Sequence, residues 1–202
     1  MNRMNIFILL ALSVLLVFAV PASATDLNAK TCHNIIGGMW SADTNTCTVA
    51  KIVSVNRDIT VPAGARLITL NNGAITINKG VTITNYGYIN NLKSCTITNY
   101  GTIYNKENGT FTISGGTLIN DAKGTIINTG ALHNWYIGNI KNAGIINSTG
   151  AGTFVNDNII TNKCGGIITG LEDTQYVIQE ACELPTDNRH HDDGRYHDNQ
   201  RH

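Results

Sequence analysis

Residues 81–94 read VTITNYGYINNLKS and residues 95–108 read CTITNYGTIYNKEN, so Thr-Ile-Thr-Asn-Tyr-Gly recurs at an interval of fourteen. The preceding unit, 67–80, reads LITLNNGAITINKG in the same register. Downstream come GTFTISGGTLINDAK over 109–123, with one inserted residue, then GTIINTGALHNWYI, GNIKNAGIINSTGA and GTFVNDNIITNKCG. A fixed period of this kind is the signature of a stacked repeat architecture. Inside each unit the half-motif apolar-x-Asn-x-Gly occurs twice, which predicts a strand of three or four residues followed by a turn about every seven residues.

Residue chemistry agrees with that reading. Ile, Val and Thr favour extended backbone, whereas Asn and Gly tolerate the left-handed conformation of tight turns. Strands this short cannot bury enough surface alone, so successive coils must stack about 4.8 Å apart. Alternation places Ile75, Ile77, Ile83, Ile97, Phe111 and Ile113 inward. The fifth position of the units carries Asn71, Asn85, Asn99, Asn128, Asn142 and Asn156, a column expected to form a hydrogen-bonded ladder at the corners, broken at Ile113. The expected fold is therefore an all-β parallel β-helix, a β-solenoid of about seven 14-residue units. A flattened two-sided coil of fourteen residues is preferred, because similarity at fourteen exceeds similarity at seven, and a three-sided coil of twenty-one is the alternative.

The stretch Ile59-Thr-Val-Pro-Ala-Gly64 leading into Ile-Thr-Asn-x-Gly-x-Ile resembles the Asn/Gly-rich β-solenoid repeats of secreted archaeal and bacterial surface proteins and adhesins. The resemblance covers roughly residues 50–170 and implies a parallel β-helix entered through a Val-Pro-x-Gly turn. It carries no catalytic residues with it.

Outside the repeats, Met-Asn-Arg followed by an apolar run from Ile6 to Val20 and Pro-Ala-Ser-Ala reads as a secretory signal peptide, 1–24. The run is shorter than a membrane span, so no span is expected after cleavage and the mature chain is expected to be extracellular or at the cell surface. The expected organisation is an N-terminal disulfide cap over 25–58, the solenoid over 59–170, a C-terminal cap over 171–184 and a polar tail over 185–202. Spacing suggests disulfides Cys32 with Cys47 and Cys164 with Cys182, leaving Cys95 as a buried thiol or an intermolecular bridge. Charged residues make up 14% of the chain and balance to zero, which leaves nothing basic enough to seek nucleic acid.

Few residues suggest chemistry. In the tail, His190, His191, His197 and His202 beside Asp192, Asp193 and Asp198 have the make-up of a copper, nickel or zinc site, although a solvated polar tail has the same composition. Thr82 and Thr84, Thr96 and Thr98, Thr110 and Thr112 suggest a flat Thr-x-Thr array of the kind that binds ice. His133, Trp135 and Tyr136 form one aromatic interruption, read as a packed or bulging loop, with a sugar-stacking patch as the alternative. Asn108-Gly-Thr110 and Asn147-Ser-Thr149 match the N-glycosylation pattern. No paired carboxylates, nucleophile with base, or phosphate-cradling loop stands in a convincing place, so the sequence reads as non-catalytic and needing no cofactor. The expectation is a structural or adhesive protein whose main partner is itself, through end-to-end filament or surface assembly, with extracellular metal or glycan binding as the alternative.

Overall fold

The computed structural model describes residues 23–171 and 174–182. Nearly all of them belong to a parallel β-solenoid with three faces, each a seven-stranded sheet. Sheet 1 runs from Thr25–Asp26 through Ile59–Val61, Thr82–Asn85, Thr102–Asn105, Thr125–Asn128 and Ile145–Ser148 to Ile167–Thr169. Sheet 2 holds Met39–Ser41, Thr46–Val49, Arg66–Thr69, Tyr88–Leu92, Thr110–Ser114, Ala131–Trp135 and Thr153–Asn156. Sheet 3 holds Ile52–Val55, Ala74–Ile77, Thr96–Asn99, Thr117–Asn120, Asn139–Asn142, Ile160–Asn162 and Val177–Gln179. Seven strands make six inter-strand steps, a rod about 29 Å long.

The coil is thus the three-sided alternative, and the preferred two-sided coil of fourteen is corrected. Thr96 pairs with Ala74 and with Thr117, and Thr102 pairs with Thr82 and Thr125, so strands meet the copy three strand-and-corner units away. The two near-identical Thr-Ile-Thr-Asn segments lie on different faces, Thr82–Asn85 in sheet 1 and Thr96–Asn99 in sheet 3.

The fourteen-residue period nevertheless has a structural meaning. Counted from the last inward-facing residue of one strand to the next strand, long corners at 78–81, 92–95, 106–109 and 121–124 alternate with short ones at 86–87, 100–101, 114–116 and 129–130, and the alternation continues to 163–166. One long and one short corner with their two strands make the fourteen-residue unit. Three corners close a coil, so from 78–81 onward long corners stack on short ones, and 92–95 lies on the equally long corner 70–73. The rod's edges are therefore notched.

The expected inward residues are all buried, from 0% exposed at Phe111 and Ile113 to 3% at Ile97, in one core cluster running the length of the rod. Each fully buried Ile, Leu or Phe contributes roughly 1.5–3 kcal/mol. Among the repeated glycines Gly115 has the left-handed backbone expected of a turn, at φ 82, whereas the others serve a different purpose. Gly73, Gly87, Gly101, Gly130 and Gly144 do not have positive φ; they stand just before a strand, where an added Cβ would lie under 3.0 Å from a backbone carbonyl of the preceding coil. The other left-handed positions are corner residues such as Gly80, Ser94, Asn108 and Gly150.

The two ends differ. At the N-terminal end Met39–Ser41 pairs antiparallel with Thr46–Val49, and the helical segment Ala29–Thr31 continues as a π-helical turn, Cys32–Ile36. Leu27, Cys32 and Ile36 are buried there, and the Cys32–Cys47 disulfide ties the turn to the first parallel strand of sheet 2. At the C-terminal end Cys164–Cys182 anchors the last strand of sheet 3. Ile168, Leu171 and Val177 are only partly covered there, and Ile159, Ile167 and Ile178 are exposed.

Candidate functional site

The asparagine column predicted as one ladder is three. In sheet 1, Asn85 Nδ2 donates to Asn105 Oδ1, Asn105 to Asn128 and Asn128 to Ser148 Oγ, at 2.7 to 2.8 Å. In sheet 3 the chain runs from Asn99 through Asn120, Asn142 and Asn162 to Gln179 Oε1 at the same distances. Asn156 belongs to sheet 2, where Asn134 Nδ2 donates to it at 2.8 Å. Asn71 is corrected: it is an exposed corner residue with φ 54 and joins no ladder. Asn105, Asn120, Asn134 and Asn162 were missed because they fall at the second half-motif of each fourteen-residue unit, and the seven-residue spacing was their signal.

The second amide hydrogen is also used. Asn99, Asn105, Asn120, Asn128 and Asn142 donate to main-chain carbonyls of Thr125, Ala131, Ile145, Thr153 and Ile167, at 2.8 to 3.2 Å. Ile113 interrupts the sheet 2 ladder, as its place in the repeat predicts. Below it, Asn134 Oδ1 is buried with no hydrogen-bond partner, since an isoleucine cannot donate.

The three Thr-x-Thr pairs lie on three different faces, Thr82 and Thr84 in sheet 1, Thr96 and Thr98 in sheet 3, Thr110 and Thr112 in sheet 2. The flat array is not formed. Both expected disulfides are present, and Cys95 is a buried free thiol standing where the same corner elsewhere has Gly73, Gly116 and Gly138. Asn108 is exposed on a long corner, whereas Asn147 lies within Ile145–Ser148 and accepts a 2.6 Å hydrogen bond from Thr169 Oγ1. The tail residues His190, His191, Asp192, Asp193, His197, Asp198 and His202 lie outside the described residues. Among the described residues no helix is long and apolar enough to cross a membrane.

The aromatic interruption is the most distinctive surface. His133 and Trp135 project outward from sheet 2 and stack with ring centroids 5.1 Å apart and planes 10° from parallel. The chain then turns through the long corner 135–138, closed by a 2.8 Å hydrogen bond from Gly138 N–H to the Trp135 carbonyl. Tyr136 is the second residue of that turn and has φ 61, a position suited to glycine. For a residue with a Cβ the left-handed region costs roughly 1–2 kcal/mol. Packing does not offset that cost, because Tyr136 is 84% exposed, with Ile137 at 60% and Trp135 at 44% beside it.

Tyr136 and Ile137 overhang the short corner 114–116, and Leu92 and Lys93 of the long corner 92–95 form the opposite wall. The notch between them has Ser114 and Gly115 as its floor, extends to Leu70 and Asn71, and encloses about 520 Å³. A second notch, about 540 Å³, lies over the short corner 86–87, where the Arg66 guanidinium sits 4.7 Å from the Tyr88 ring centre. Of the aromatic residues that stand out in the sequence Tyr136 alone lines the first notch, and its other wall was not legible because that wall exists only once coils of about twenty-one residues are stacked.

No protein-family model, curated protein or solved structure matches this chain.

Proposed function

We propose that the protein is a secreted, non-catalytic structural or adhesive rod, of the kind found at archaeal and bacterial cell surfaces, that self-associates through its C-terminal end. The observation that carries this reading is the inequality of the ends. The N-terminal end of the core is capped by a disulfide-tied helical turn that buries Leu27, Cys32 and Ile36, and an antiparallel strand closes sheet 2, with Met39 and Ile52 exposed beside them. Among the described residues no strand follows Thr153–Asn156, Ile167–Thr169 or Val177–Gln179 in their sheets, and Ile159, Ile167 and Ile178 are exposed around that end. Unpaired strand edges flanked by apolar side chains are templates for another chain. The signal-like N-terminus and the two disulfides support export to an oxidising compartment.

Sedimentation velocity and negative-stain electron microscopy of residues 25–202 without reductant test the proposal. Rods joined at one end, increasing with concentration and lost in Ile167→Lys, are the expected result. Monomers at every concentration overturn it, and filaments would require the N-terminal cap to be displaced as well. A second reading, binding of an extracellular glycan, is favoured by the exposed aromatic corner at Trp135 and Tyr136. Metal binding by the tail rests on composition alone.

A further inference from the structure

We propose that the notch over the short corner 114–116 binds a carbohydrate bearing carboxylates, an oligosaccharide of uronic acids. This gives the adhesive reading a ligand class and rests on it. Three observations carry the inference, beginning with Tyr136. Its φ of 61 suits glycine and the residue is 84% exposed, so it strains the backbone without gaining burial. Strain that stability does not account for is characteristic of binding sites.

The second observation is the floor. Gly115 has φ +82, a backbone conformation that itself favours glycine, and an added Cβ there would also meet Ile137 Cγ1 at 3.2 Å and Lys93 Cβ at 3.4 Å, in the space between the walls. With the shorter corner, this glycine keeps the notch open. The third is its chemistry. The Tyr136 ring and the aliphatic Leu92 and Ile137 offer apolar surface to the C–H face of a pyranose, and polar groups at the rim can meet its hydroxyls. Lys93 is the lone charged group among the lining residues, and no carboxylate opposes it, so the notch complements an anion. The lining reaches from Leu70 to Tyr136, four successive coils or roughly 14 Å along the rod, longer than a single sugar ring.

The test is titration of the intact mature protein with trigalacturonate and with a neutral trisaccharide, followed by amide chemical shifts and calorimetry. Trigalacturonate should shift the amides of Lys93, Gly115 and Tyr136, and the neutral sugar should bind at least tenfold more weakly. Lys93→Gln should abolish that preference. Tyr136→Gly should raise the melting temperature while reducing trigalacturonate affinity at least tenfold, which a merely structural tyrosine would not do. No shifts at the notch with either sugar, or a Tyr136→Gly variant that melts lower, overturns the proposal. Self-association at the C-terminal end, measured by sedimentation on the same variants, should be unchanged, so failure of the ligand is distinguishable from failure of the rod reading.

Discussion

Asn120→Leu tests whether the buried amide ladders hold the coils together. Asn120 is fully buried, accepts from Asn99 and donates to Asn142 Oδ1, both at 2.8 Å, and also donates to the carbonyls of Ile145 at 3.1 Å and Gly124 at 3.2 Å. Four such bonds at about 1 kcal/mol net each, with a further 1–3 kcal/mol for leaving Asn142 Oδ1 buried without a donor, set the loss. The added apolar burial of leucine returns roughly 1–2 kcal/mol. The expected net destabilisation is about 3–6 kcal/mol, a fall in melting temperature of roughly 6–24 °C for a domain of this size. Urea unfolding of residues 25–202 in the oxidised state, followed by far-ultraviolet circular dichroism, measures it. Asn142→Leu alone should cost a similar amount, and the double variant less than the sum by at least about 1 kcal/mol, because each single change orphans a partner that the double removes. A loss below about 0.5 kcal/mol for Asn120→Leu, or strict additivity, would refute the reasoning.

Ile113→Asn should cost less than about 1.5 kcal/mol, since it supplies the missing donor to Asn134 Oδ1, whereas Ile97→Asn in the apolar stack should cost more than about 3 kcal/mol; urea midpoints compare the two. Gly144→Ala drives a Cβ into the carbonyls of Gly124 and Asp121 and should destabilise by more than about 3 kcal/mol, while Gly64→Ala, at φ +81 in open space, should lose only about 1 kcal/mol. Replacing Cys32 and Cys47 by serine removes a cross-link spanning 15 residues and should lower stability by about 3 kcal/mol, with hydrogen exchange rising first in Thr46–Val49.

The fold was legible because its information is local. A strand of alternating Ile and Thr, an inward Asn and a glycine before the next strand recur within seven residues, and each reports its environment through its own chemistry. Both disulfides were legible for a related reason: each pair lies close in the chain, at one end of the repeats. The number of sides was not legible, because it depends on how many units close a coil, and that is a tertiary property. The role of the glycines was obscured likewise. Positive φ is a property of one residue, whereas the Cβ exclusion at Gly73 or Gly144 comes from a carbonyl one coil away. The notch shows the same division. Tyr136 stands out in the sequence, but Lys93 and Gly115 join it in one notch only through stacking.

The mismatch between a two-unit sequence repeat and a three-sided coil also limits what the surface can do. A residue repeated every fourteen positions moves to another face each time and returns to its own face only after about 42 residues, two coils along the rod. The Thr-x-Thr pairs at 82, 96 and 110 are therefore spread over all three sheets instead of tiling one. A flat, regular plane, such as a crystalline ligand requires, cannot be built by this repeat. Its alternation of long and short corners instead makes each edge a succession of overhangs and recesses, and single substitutions on an overhang, such as Tyr136 or Lys93, make one recess chemically distinct without disturbing the core. A rod made this way is suited to carrying discrete sites for separate ligands along its edges, and it is at those corners, rather than on the sheet faces, that binding is to be sought.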